Sequence, residues 1–195
     1  MKKLYLYDFD GTITNKDSLF EFLKFASPSL KYKFQLLRFA PLFLGAKLGV
    51  LSKSETKRSF ISTFLKGKTK NEISAISHSF LEHIQKNDFF KKNALESIEK
   101  HTQKGTVFIV SASLDLWLDA IAKQLGVGLI CTQAEFIKGV FNGNFKTHNC
   151  NYEEKPKRVQ AEIDLSSFTE IHYYGDSKGD MAMKPLATNF YYNYF

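Results

Sequence analysis

The feature that most constrains this chain is a short apolar run that stops abruptly on acid. Leu4-Tyr5-Leu6-Tyr7 is followed at once by Asp8-Phe9-Asp10-Gly11-Thr12. A run of four bulky residues with no polar alternation is a strand buried on both faces, the signature of a parallel sheet. Phe9 stands between the two acids, so both carboxylates can turn toward the strand's C-terminal end. Two such groups side by side are costly unless a cation or a proton compensates them. Gly11 permits a tight turn there, and Thr12 can hydrogen-bond it.

The pattern recurs. Ile171 to Tyr174 reads as another strand, and Gly175-Asp176-Ser177-Lys178-Gly179-Asp180 follows it. An oxygen-only acidic cluster suits Mg²⁺. Thr106 to Val110 is a strand ending at Ser111-Ala112-Ser113, Gly128 to Thr132 is another, and Phe190 to Tyr192 is a short last one. A hydroxyl beside the N-terminus of the next helix makes an anion site. We assign Ser111 to that role and Ser113 to capping the helix over Asp115 to Leu125, which Gly126 ends. Pro156 to Ile163 reads as a helix with proline in its first turn. Glu135 to Phe145 reads as a β-hairpin through its Lys-Gly and Asn-Gly pairs. Strands alternating with helices predict an α/β fold, a doubly wound, Rossmann-like parallel sheet.

Ser18 to Lys104 carries no strand pattern. Leu19, Phe22, Leu23 and Phe25 cluster at helical spacing, as do Ile76, Phe80, Leu81 and Ile84. This is an α-helical cap inserted after the first strand, which divides the chain into a core of residues 1–13 and 105–195 and a cap of 14–104. The charge divides with it. Residues 14–105 hold 17 Lys and Arg against 8 Asp and Glu, and the rest holds 10 against 12. A basic surface attracts anions, whether substrate or membrane. Pro41-Leu42-Phe43-Leu44-Gly45, set between Arg38 and Lys47, adds an apolar run that suits peripheral contact with anionic lipid.

Several classes fall away. No nucleic-acid motif is present, so no nucleic-acid partner is expected, and a basic binding protein without catalysis ranks low. No stretch of 18 apolar residues occurs, and Asp8 interrupts the opening apolar run too early for a signal peptide. Cys131 and Cys150 lack metal-type spacing and indicate a reducing compartment. The expected location is the cytoplasm, with the inner membrane surface as an extension of the cap reading.

Taken together, the four loop segments resemble the haloacid dehalogenase superfamily of phosphohydrolases. Asp8-Phe9-Asp10-Gly11-Thr12 matches its first motif, Ser111 the second, Lys155 the third, and Gly175-Asp176 with Gly179-Asp180 the fourth. The helical insert is similar to that of subfamily IB, which contains phosphoserine phosphatase, and so is the stretch Asn149 to Lys155. The resemblance implies a Mg²⁺-dependent phosphatase in which Asp8 is the nucleophile and Asp10 the general acid and base. It implies a metal held by Asp8, Asp176 and the carbonyl of Asp10, with Asp180 in support. Ser111, Ala112 and Lys155 would bind phosphate, with Lys157 as the alternative lysine. Asp17 takes the place of a substrate-side Glu, one methylene shorter. That difference, and Ala112-Ser113 in place of a Gly-Gly pair, argue against free phosphoserine and for a small or lipid-linked phosphomonoester. A phosphotransferase would share the first half-reaction.

Overall fold

The computed structural model describes residues 2–195. Strands β1 (Lys3–Tyr7), β2 (Thr106–Leu114) and β3 (Gly128–Thr132) stand close to where their apolar runs predict them. A small hairpin of β4 (Ala134–Ile137) and β5 (Val140–Phe145) follows, then β6 (Glu170–Gly175) and β7 (Asn189–Tyr192). The main sheet has five strands in the order β3-β2-β1-β6-β7, and every neighbouring pair is parallel. The chain therefore leaves β1 toward β2 and β3 on one side and returns to β6 and β7 on the other. Strand β1 is the point where the winding reverses, and ligands of such sheets bind outside the strand ends at that point.

The two-residue period of β1 sends its side chains into two cores. Leu4 and Leu6 join Val110, Ile130 and Tyr173 beneath helix α7 (Glu154–Glu162), with Val159 and Ile163 closing that side. Tyr5 and Tyr7 join Val107, Ile109 and Tyr174 on the opposite face, where helix α6 (Asp115–Leu125) contributes Trp117 and Ile121. Helix α6 has the predicted bounds and ends at Gly126 in the left-handed conformation, φ 67°.

The long connection from β1 to β2 is helical: α1 (Ser18–Phe25), α2 (Ser29–Lys47), α3 (Lys53–Leu65), α4 (Lys70–Gln85) and α5 (Lys92–Thr102). Phe20, Phe39, Phe43, Phe60 and Phe64 pack with ring centroids 5.1–6.3 Å apart, so much of the phenylalanine-rich composition is spent among these helices, in a core continuous with that of the sheet. Phe22 stacks on Trp117 at 5.1 Å and ties this cap to α6. Helix α5 behaves differently. Its Ser97 and His101 meet the Tyr7 hydroxyl, and the His101 ring stacks on Tyr5 at 3.8 Å. We therefore propose that the cap ends near Phe90 and that α5 belongs with the sheet.

The hairpin grips the cap. Gly67 N–H donates to Phe141 O, Phe141 N–H to Lys68 O, and Lys70 N–H to Gly139 O. Its turn is Lys138-Gly139, both with positive φ (50° and 79°). That is the pair a two-residue turn requires. Asn142-Gly143 lies within β5 instead, where a Cβ on Gly143 would overlap Ser62 of α3.

Candidate active site

Four segments meet at the C-terminal edge of the sheet. Strand β1 continues through Asp8, whose N–H donates to Tyr174 O at 2.8 Å. Phe9 is fully buried and packs near Phe89 and Phe90, so it anchors the loop between its two acids. Gly11 has φ +85°, and a Cβ there would overlap the Asp176 carboxylate. Glycine is thus required both by the turn and by the close approach of the two acidic loops. Lys91 Nζ donates to Gly11 O and holds the loop from behind.

Lys155 lies in the first turn of α7 and is 2% exposed, while Lys157 faces solvent. Its ammonium donates to Asp8 Oδ1 at 2.6 Å, to Asp180 Oδ1 at 2.5 Å and to the Tyr173 hydroxyl at 3.1 Å. Burial alone would lower the Lys155 ammonium, but Asp8, Tyr173 and Asp180 around it hold it well above its ordinary value. The two acids fare differently. Burial pushes Asp8 up to about 7, because Lys155 only partly offsets it and Asp180 and Asp10 add repulsion. Asp180 is also buried, yet it stays below the ordinary carboxylate value. It accepts from Lys155, from Tyr173 at 2.5 Å, and from Ser177 N–H and Oγ at 2.9 and 2.6 Å. Hydrogen-bond donors decide which of two buried carboxylates keeps its charge.

Asp10 is held from the cap side. Its Oδ1 accepts from the Ser18 N–H at 2.6 Å, one of the unpaired donors at the start of α1, and its Oδ2 accepts from Ser113 Oγ at 2.5 Å. Ser113 Oγ lies 3.2 Å from Ser18 Oγ, which accepts from Trp117 Nε1 at 2.9 Å. Ser113 is therefore not the helix cap expected from sequence. Strand β2 runs on through it to Leu114 across a register shift, and α6 starts without a side-chain cap. The irregularity re-aims the serine toward Asp10. Ser111 is buried and accepts from Ser113 N–H at 3.1 Å, which leaves its own O–H free to donate.

A cavity of about 290 Å³ opens above these groups, lined by Asp8, Asp10, Ser111, Ala112, Lys155 and Ser177. Asp17 and Lys57 complete it from the cap. One Asp17 oxygen caps α1 by accepting from Leu19 N–H at 3.0 Å. Burial, with Asp10 nearby, raises Asp17 to about 6. Lys57 of α3 donates to Ala112 O at 2.6 Å, and burial lowers its ammonium against the pull of Asp10 and Asp17. Neither Lys57 nor Tyr173 stood out in the sequence: one was among many cap lysines, the other one aromatic in a buried strand.

Carboxylate oxygens of Asp8, Asp176 and Asp180 lie within 4.8 Å of one another. The set is all oxygen, as a hard divalent cation prefers. Burial and acidic neighbours raise both Asp8 and Asp176 above their ordinary values, so the single ammonium of Lys155 leaves negative charge for a cation to balance. These residues fit a magnesium ion. The Asp10 carboxylate is outside the cluster, engaged with Ser18 and Ser113.

Comparison with known proteins bears on the fold and the family. Protein CicA of Caulobacter vibrioides is 31% identical over an alignment 200 positions long that covers 98% of this chain and 86% of that protein. A Bordetella pertussis protein of unknown function superposes with a TM-score of 0.84 at 21% identity, covering 97% of this chain and 89% of the other. A substrate-bound phosphoserine phosphatase superposes with a TM-score of 0.68 at 18% identity, covering 98% and 86%. The profile of the haloacid dehalogenase-like hydrolases matches residues 5–184, from β1 to the turn after Asp180, and the chain belongs to that family.

Proposed function

We propose that this protein is a phosphomonoester hydrolase working through an aspartyl-phosphate on Asp8. One observation carries the reading. Asp8 sits at the winding reversal of the sheet with one oxygen on the buried Lys155 ammonium at 2.6 Å, at the floor of a cavity it shares with Asp10 and Ser111. The phosphatase named among the structural neighbours supports it.

In the first step an Asp8 oxygen attacks phosphorus while the bond to the leaving alcohol breaks, and Asp10 delivers the proton that the alkoxide takes up. In the second step Asp10 takes a proton from water as the water oxygen attacks phosphorus. Phosphate leaves and the Asp8 carboxylate is restored. Both steps need Asp10 aimed at the same spot, which the donors from Ser18 and Ser113 provide. Ser111 Oγ, the Ala112 N–H and Lys155 hold phosphoryl oxygens. Mg²⁺, held by the Asp8 and Asp176 carboxylates and the Asp10 carbonyl with Asp180 in support, would supply the positive charge that lets a carboxylate meet a phosphate dianion.

The substrate side favours an ester other than free phosphoserine. Asp17 is one methylene shorter than the Glu expected for an amino group and spends one oxygen capping α1. Lys57 adds a cation at the cap side of the cavity, which suits a small or lipid-linked phosphate ester with further negative charge. The test is kcat/KM for phosphoserine against sugar, nucleotide and lipid monophosphates, with Mg²⁺ and with chelator. The proposal predicts Mg²⁺-dependent release of phosphate and a preferred substrate other than phosphoserine. Absence of turnover across the panel would overturn the activity, and a clear lead for phosphoserine would overturn the substrate reading.

A further inference from the structure

Helix α2 carries large apolar side chains on the face turned away from the protein. Leu30, Phe34, Leu37 and Leu44 are 84%, 65%, 76% and 58% exposed, and Leu48, the C-cap residue that continues the stripe, is 71% exposed. Their spacing of four, three, seven and four residues places them in one stripe, with Pro41 filling the gap. The helix is not misplaced, since its opposite face is buried through Tyr32, Phe39 and Ala46. Single exposed apolar residues are ordinary, but a contiguous stripe this long marks a surface that something covers.

Charge indicates what covers it. Lys31, Lys33, Arg38 and Lys47 flank the stripe, and all are exposed. No acidic residue occurs from position 22 to 54, a stretch that contains six lysines and arginines. A second copy of the chain seated on this face would bring like charges together around the apolar contact. An anionic bilayer meets both features: acyl chains take the stripe, and lipid phosphates take the flanking ammonium and guanidinium groups. The lysine stems are long enough to lie along the apolar surface with their charges in the headgroups. No helix among the described residues is long and apolar enough to cross a membrane, so the geometry is that of a helix lying flat.

We propose that α2 is a membrane-docking helix that seats the protein on anionic lipid surfaces. The proposal concerns this surface alone and does not depend on the chemistry of the active site. It has a consequence for that site nonetheless. Helix α2 packs on α3 through Phe39 against Phe60 and Tyr32 against Phe64, and α3 brings Lys57 to the cavity. A docked α2 is therefore one helix removed from bound substrate.

The experiment is vesicle flotation of the full chain. Vesicles of phosphatidylcholine alone are compared with vesicles containing about 40% phosphatidylglycerol, an anionic content high enough to draw juxtamembrane lysines. The informative variant is Phe34→Gln/Leu37→Gln/Leu44→Gln, which removes apolar surface, leaves every charge in place and touches only exposed positions. We expect wild-type protein to bind the anionic vesicles, to bind phosphatidylcholine weakly, and to be released by salt. We expect the variant to bind at least ~10-fold more weakly with an unchanged melting temperature. Equal binding by wild type and variant would mean a general attraction of a basic protein and would overturn the proposal. So would failure of wild type to bind at low salt. A wild-type dimer that becomes monomeric in the variant, with no vesicle binding by either, would assign the stripe to self-association instead.

Discussion

Replacing Tyr173 by Phe removes one oxygen from the most buried part of the site and nothing else. The ring remains, 0% exposed and stacked on Phe190 at 5.7 Å, so packing is unchanged. What is lost is the donor to Asp180 Oδ1 at 2.5 Å and an acceptor for Lys155 at 3.1 Å. A hydrogen bond to a charged partner contributes about 1.5–3 kcal/mol. Asp180 retains Lys155 and both donors of Ser177, so the loss belongs near the lower end, about 1.5–2 kcal/mol. In a chain of this size that corresponds to a fall in melting temperature of roughly 3–8 °C. Tyr174→Phe is the control. Its neighbouring ring points to the other face of the sheet and its hydroxyl has no hydrogen-bond partner among the described residues, so less than about 0.5 kcal/mol should be lost. Urea unfolding of both variants in the presence of chelator measures the difference. Equal stabilities would refute the reasoning that Tyr173 holds the Lys155–Asp180 pair.

Asp10→Asn should slow turnover by at least ~100-fold while weakening Mg²⁺ much less than Asp176→Asn does, because the first keeps its backbone carbonyl and the second loses a ligand. Metal titrations giving equal losses of affinity would contradict this division. Ser113→Ala should lower kcat by roughly tenfold with KM little changed, since it frees one Asp10 oxygen and leaves the Ser18 N–H on the other. A change confined to KM would place Ser113 on the substrate instead. Burial, with His172, Lys104 and Lys3 nearby, lowers His101 to about 4 from 6.5. The unfolded chain therefore binds the proton first as pH falls, and stability that is complete above pH 6.5 is lost between about 6.5 and 4. With a discount for partial exposure the loss is about 1–2 kcal/mol, and it should shrink in His101→Gln. A stability profile of identical slope in the variant would contradict it.

Much of the site was legible because its loops follow strands whose apolar runs are unmistakable. Leu4 to Tyr7 and Ile171 to Tyr174 point to Asp8, Asp10 and Asp176 without any knowledge of tertiary structure. The rest depended on partners that local sequence does not contain. Ser113 before Leu114-Asp115 has every mark of a helix cap, but a strand irregularity turned it onto Asp10. Tyr173 carries the same signal as any apolar strand residue, and only the arrival of α7 with Lys155 gives its hydroxyl a purpose. Lys57 is one basic residue among 17 in its segment, distinguished only by the bond that its ammonium makes to Ala112 O at the cavity once α3 has packed on the hairpin strand β5. Helix α5 is indistinguishable in pattern from the cap helices before it, yet Ser97 and His101 face Tyr7. Among the cap phenylalanines, periodicity alone did not separate Phe39, Phe60 and Phe64, which are buried, from Phe34, which is exposed.

The central claim is that Asp8 becomes phosphorylated during turnover. Its direct test is rapid acid quench of the enzyme with a turned-over phosphomonoester and Mg²⁺, followed by borohydride reduction and peptide mass spectrometry. The acyl-phosphate, and no other carboxylate, is reduced by borohydride under these conditions. We predict reduction of Asp8 alone, to homoserine, dependent on both substrate and Mg²⁺ and absent from the inactive Asp8→Asn variant. Turnover with no reduction at Asp8, reduction at another residue, or an Asp8→Asn variant that retains most of the wild-type rate would contradict the mechanism.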